Sequence, residues 1–146
     1  MSSQPEAKPP LTAELVWAGD LRFTTRVGDI TFVLDSDGRD GPSPMQALAG
    51  AVAGCMAMDL VHFLDRSRVP ASALRVSLTG ERAPDHPRRF VAIQLHFDLD
   101  GTAADDVVAR GLQLSREKYC SVWNSMRQDI ELRTTFTVNR GASPQE

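Results

Sequence analysis

Two cysteines, Cys55 and Cys120, are all that this sequence of 146 residues contains. So small a number makes no disulfide scaffold, and neither residue has the CxxC or CxxH spacing of a zinc site. Excess charge is scarce as well: 16 Lys and Arg against 19 Asp and Glu leave a net charge of −3. Phosphate backbones are bound by basic patches, and arginines scattered singly or in pairs argue against nucleic acid as a partner. The G-x-G-x-x-G, P-loop and G-x-S-x-G patterns are missing, which speaks against a nucleotide enzyme or a serine hydrolase. His62, His86 and His96 are dispersed and lack paired carboxylate spacing, so no metal site and no cofactor are expected. The start, "MSSQPEAKPPLTAE", has no apolar core of a secretory signal. Residues 47–64 approach transmembrane length but carry Asp59, His62, two glycines and many alanines. A bilayer span needs about 20 strongly apolar residues, so a buried core helix in a cytoplasmic protein is expected, without membrane contact.

What is there has a globular balance, with 42% hydrophobic and 24% charged residues. Residues 1–10 read as a disordered leader, 11–138 as one domain and 139–146 as a flexible tail. From Leu11 to Leu34 the pattern is β-branched and aromatic, with Ile30, Phe32 and Leu34 alternating and Gly19-Asp20 and Gly28-Asp29 as tight turns. This predicts an antiparallel meander of three strands. Ser43 then makes a helix N-cap, Pro44 suits the first helical position, and Gln46 completes a capping box. The helix is predicted to run from Pro44 to Ser67, apolar on all sides and therefore central. Ala47, Gly50, Ala51 and Gly54 form a stripe of small residues along which another backbone could approach closely.

Leu74, Val76 and Leu78 alternate in one further strand, and Val91, Ile93, Leu95, Phe97 and Leu99 in the next, with "PDHP" as the turn between them. A helix capped by Thr102 follows, with acids in its first turn; then come a short helix from Ser121 to Gln128 and a last strand, "IELRTTFTV". The order predicts an α+β protein with a mostly antiparallel sheet.

Chemistry rests on the thiols. Cys55 shares a helical face with Met58 and Asp59. It reads either as a space-filling core thiol or as a reactive one, and a carboxylate one turn away disfavours a thiolate. Cys120 falls where one helix ends and another begins, where N-terminal amides together with Arg116 and Lys118 would favour its thiolate. For it, too, simple packing remains an alternative.

Three stretches, "GPSPMQALAGAVAGCMAMDLVHFL", "LTGERAPDHPRRFVAIQLHFDLDG" and "LSREKYCSVWNSM", resemble the OsmC/Ohr family of osmotically induced and organic hydroperoxide resistance proteins, most strongly its YhfA-like branch. With the flanking strands the resemblance covers nearly all of residues 11–138. It implies antiparallel sheets wrapped around long central helices in an intertwined homodimer, with sites at the subunit interface. It also implies a peroxiredoxin-like role in the oxidative stress response. There Cys55 would react with an organic hydroperoxide, Cys120 would resolve the sulfenic acid as a disulfide, and a lipoyl-type dithiol would reduce it. Peroxidase members carry Pro-Glu at the start of the long helix, and that glutamate orients an arginine over the thiolate. This chain reads Pro44-Met45, with Gln46 next. Gln46 offers a hydrogen bond but no charge, and Arg26 and Arg39 are candidates for the arginine by location only.

Three classes of function stay open. One is a thiol-dependent hydroperoxide reductase acting through Cys55 and Cys120, with Gln46, Arg39, Arg26 and Asp59 in support. Another is a non-enzymatic binder of a small apolar ligand at the dimer interface, with weak or no turnover because Met45 replaces the family glutamate. The last is an interaction or structural dimer with inert thiols.

Overall fold

The computed structural model of the chain describes residues 4–141; the outermost parts of the predicted leader and tail, residues 1–3 and 142–146, lie outside it. The described chain divides into two compact units, with the boundary between Ala47 and Leu48.

The first unit holds the predicted meander: β1 (Glu14–Trp17), β2 (Arg22–Val27) and β3 (Ile30–Asp35), paired antiparallel in that order. β1 begins at Glu14, later than the Leu11 at which the strand-like pattern starts. Val27 opposes Ile30, so Gly28-Asp29 is a two-residue hairpin loop, and Gly28 adopts φ +59. Opposed residues share a face. The register therefore puts Leu15, Thr25 and Phe32 together, Trp17 beside Phe23 and Leu34, and Val27 beside Ile30. That face is almost wholly apolar, yet in the single chain Leu15, Trp17, Phe23, Val27, Ile30 and Phe32 are exposed.

Asp35 ends β3 and is buried. Its carboxylate accepts hydrogen bonds from the backbone N–H groups of Asp37 at 2.9 Å and Asp40 at 3.1 Å, which folds the following loop back on the strand. The Asp40 N–H, ahead of the others, holds this carboxyl below its ordinary pKa. The capping box is in place: the Gln46 N–H donates to Ser43 Oγ at 3.2 Å, and the Ser43 N–H to Gln46 Oε1 at 2.9 Å.

α1 (Pro44–Arg66) starts in this unit and runs through the second. Its end follows the helix-stop chemistry. Arg68 takes φ +62, and the N–H groups of Arg68 and Val69 close on the carbonyls of Asp65 and Leu64, with Pro70 just beyond. By length and composition α1 could cross a bilayer. In the second unit, however, Val52, Met56, Leu60 and Leu64, four residues apart, form a fully buried stripe.

That unit also contains β4 (Ala73–Arg82), β5 (Phe90–Asp100), α2 (Asp105–Leu114), α3 (Ser121–Asn124) and β6 (Glu131–Asn139). The sheet order is β4-β5-β6. β4 and β5 pair antiparallel and β5 and β6 parallel, so the α+β class holds while this second sheet is mixed. Ile93, Leu95, Phe97 and Leu99 are buried as the alternation predicts. On the opposite face His96 bridges β6, with Nδ1 2.8 Å from Thr135 Oγ1 and Nε2 3.2 Å from Thr137 Oγ1.

Two helix boundaries differ from expectation. Ala104, not Thr102, is the N-cap of α2, and no side chain caps it; Asp105 and Asp106 supply the anionic first turn instead. α3 stops at Asn124 rather than Gln128, because side chains take the carbonyls that would continue it. Ser125 Oγ donates to Ser121 O and Gln128 Nε2 to Trp123 O.

Candidate functional site

Between α2 and α3 the chain makes a five-residue π-helical segment, Ser115–Tyr119, closed by the Cys120 N–H donating to Ser115 O at 2.8 Å. A hydrogen bond spanning five residues puts Ser115 and Cys120 one above the other, which an α-helical turn would not do. Both side chains are buried. The Ser115 hydroxyl donates to Asp59 Oδ2 on α1 at 2.7 Å. Asp59 lies one turn after Cys55, so the same face of α1 brings both toward the π turn. The Sγ atoms of Cys55 and Cys120 and a carboxylate oxygen of Asp59 all lie within 4.8 Å of one another. Both cysteines are free thiols, Cys55 half-buried and Cys120 fully buried.

Gly111 permits this arrangement. A Cβ there would stand 2.6 Å from Phe63 Cδ1 and 3.1 Å from Leu60 Cδ1, so α2 comes against α1 one turn before the π segment begins. Trp123, also buried, fixes the far side: its backbone N–H donates to Cys120 Sγ at 3.3 Å.

Electrostatics correct the expectation for Cys120. It does cap α3, but burial outweighs the Trp123 N–H, and the adjacent Cys55 and Asp59 add to the effect. Together they push the thiol up to about 11 from 9.0. The cations near it in sequence are engaged elsewhere. Arg116 donates to Leu132 O at 2.7 Å and lies 5.9 Å over the Trp123 ring, while Lys118 sits 5.3 Å over the Tyr119 ring.

A pH dependence follows. Below pH 9 the folded and unfolded chains both keep the Cys120 proton. Between about 9 and 11 only the unfolded chain releases it, so this group removes up to roughly 3 kcal/mol of stability as pH rises through that window. Urea midpoints of the wild type and Cys120→Ala should therefore converge or cross above about pH 9. Parallel curves would contradict it.

The other three candidates lie in the first unit. Gln46 is used in the capping box, with Gly38 beside its amide. Arg26 pairs with Glu14 across β1 and β2 at 3.1 Å, with both side chains exposed. Arg39 lies in the loop that Asp35 folds. Ser115 was missed by the sequence reading, since nothing in the spacing signals a π turn. Only the four-residue step from Cys55 to Asp59 was visible.

Beside the cluster, α1, α2 and the π segment enclose a cleft of about 550 Å³. Asp59 and Ser115 form its edge toward the thiols. Phe63 and Leu114 give it apolar walls, and His62 and Arg66 lie along it.

Residues 36–135 match the family described as OsmC-like protein. Protein YhfA of Escherichia coli K12 is 34% identical over 131 residues, covering 88% of this chain and 98% of YhfA. Among solved structures, a hypothetical protein from Aquifex aeolicus VF5 superposes with TM-score 0.83 at 22% identity, over 91% of this chain and 98% of that one. An organic hydroperoxide resistance protein from Elizabethkingia anophelis superposes with TM-score 0.65 at 15% identity, over 92% and 99%, a likeness of fold alone. The family match spans the loop before α1, both thiols and most of β6, and the chain belongs to the OsmC-like family.

Proposed function

We propose that this chain is a dithiol redox protein that reduces organic hydroperoxides through Cys55 and Cys120. The Cys55 thiolate attacks the O–O bond, releasing the alcohol and leaving a sulfenic acid. The Cys120 thiol then displaces water to form the disulfide. An external dithiol of lipoyl type returns both thiols to the reduced state by exchange. The observation that carries this is the approach of the two Sγ atoms to within 4.8 Å, with Cys55 the more accessible and Cys120 buried behind it. Two free thiols suit a reducing cytoplasm. The test is consumption of cumene hydroperoxide by reduced protein with dihydrolipoamide; a rate equal to the dithiol alone would reject the reading.

The cleft favours a second reading, a binder of a small apolar molecule whose wall reaches Asp59 and Ser115. A ligand retained through purification, in protein that consumes no hydroperoxide, would select it.

The working unit is a homodimer in this account. Support comes from the apolar face of the β1–β3 sheet and from Met58 and Val61 on α1, all exposed in the single chain. Gly50 and Gly54 add to it, since an added Cβ at either would meet nothing within 4 Å. Sedimentation at micromolar concentration should give about twice the monomer mass. A folded monomer there would exclude the dimer.

A further inference from the structure

We propose that Cys55, Asp59 and Cys120 form a binding site for one thiophilic divalent cation, Zn²⁺, held by two thiolates and one carboxylate. The donor atoms already lie within 4.8 Å of one another. Tetrahedral zinc with Zn–S bonds of about 2.3 Å sets its sulfurs about 3.8 Å apart, so closure asks for a contraction of about 1 Å or less. Two sulfur donors exclude the hard cations, which need an all-oxygen shell. The partners outside the cluster are those that metal ligands normally keep. Ser115 Oγ–H holds Asp59 Oδ2 at 2.7 Å, and the Trp123 N–H holds Cys120 Sγ at 3.3 Å.

Zinc displaces one proton from each thiol to the solvent. Two thiolates and a carboxylate then face two positive charges, which leaves a single net negative charge where three acidic groups would otherwise repel. Three protein ligands leave a fourth position for water or an incoming ligand.

Metal and disulfide exclude each other, because a disulfide has no thiolate to offer. Two-electron oxidation by an organic hydroperoxide consumes both thiolates and two protons, and gives disulfide, alcohol, water and free Zn²⁺. That release rests on the hydroperoxide reading; the binding of zinc does not.

Competition with a chromophoric chelator, on the reduced full chain, tests the site. One Zn²⁺ per chain is expected, with affinity lower by about a hundredfold or more in Cys55→Ser and Cys120→Ser and by at least about tenfold in Asp59→Asn. Circular dichroism checks that each variant is folded. A second readout uses the wild type alone: Zn²⁺ should protect both thiols from N-ethylmaleimide, and Co²⁺ should give a sulfur-to-cobalt charge-transfer band with tetrahedral d–d bands. Full affinity retained in either cysteine variant, or unprotected thiols with no such band, would overturn the proposal. Zinc binding by a protein that consumes no hydroperoxide would reject the enzymatic reading and leave the site standing. Hydroperoxide consumption without zinc binding would do the reverse.

Discussion

Cys55→Ser is expected to abolish dithiol-dependent consumption of cumene hydroperoxide, a loss of at least about a thousandfold, because a hydroxyl at that position is not a nucleophile toward the O–O bond. Cys120→Ser should behave differently. Its Cys55 can still attack once, but the sulfenic acid has no thiol within 4.8 Å to condense with. It should accumulate, be trapped by dimedone, and overoxidise under excess peroxide. The contrast between the two variants separates their roles. Equal residual rates in both would mean that neither thiol carries the reaction.

Gly41→Ala should destabilise the chain by about 2–4 kcal/mol, measured as a shift in its urea midpoint. A Cβ on Gly41 would stand 1.9 Å from the Val33 carbonyl oxygen and 2.8 Å from its carbon. These are backbone atoms of β3, so no side-chain rotation relieves the clash. The strand or the loop must move, and the loop is tied to β3 by the Asp35 N–H on Pro42 O at 3.1 Å as well as by the Asp35 carboxylate. An unchanged midpoint would show that the loop does not lie against β3 as described.

The elements that local chemistry specifies were legible in the sequence. Alternation marks the strands, and Ser43 with Gln46 marks the start of α1. Cys55 and Asp59 could be put on one face because the step between them is one helical turn. What was not legible depends on tertiary packing. The parallel pairing of β6 with β5 leaves no mark on either strand, since both alternate as antiparallel strands do. The π turn that stacks Ser115 over Cys120 has no sequence signature, so the hydroxyl on Asp59 stayed hidden. Cys120 was read from its place at a helix start, but burial outweighs one N–H at the end of a four-residue helix. Arg116, close in sequence, is drawn instead to Leu132 O and the Trp123 ring.

The pairing of the two thiols is tested most directly by intact-mass and peptide mass spectrometry after one equivalent of cumene hydroperoxide. Disulfide formation requires the sulfurs to close to about 2.05 Å, a short movement from within 4.8 Å. The loss of two protons and a Cys55–Cys120 linked peptide are expected, both reversed by dihydrolipoamide. If both thiols remain alkylatable, or Cys55 gains oxygen with no linked peptide, the dithiol mechanism is wrong.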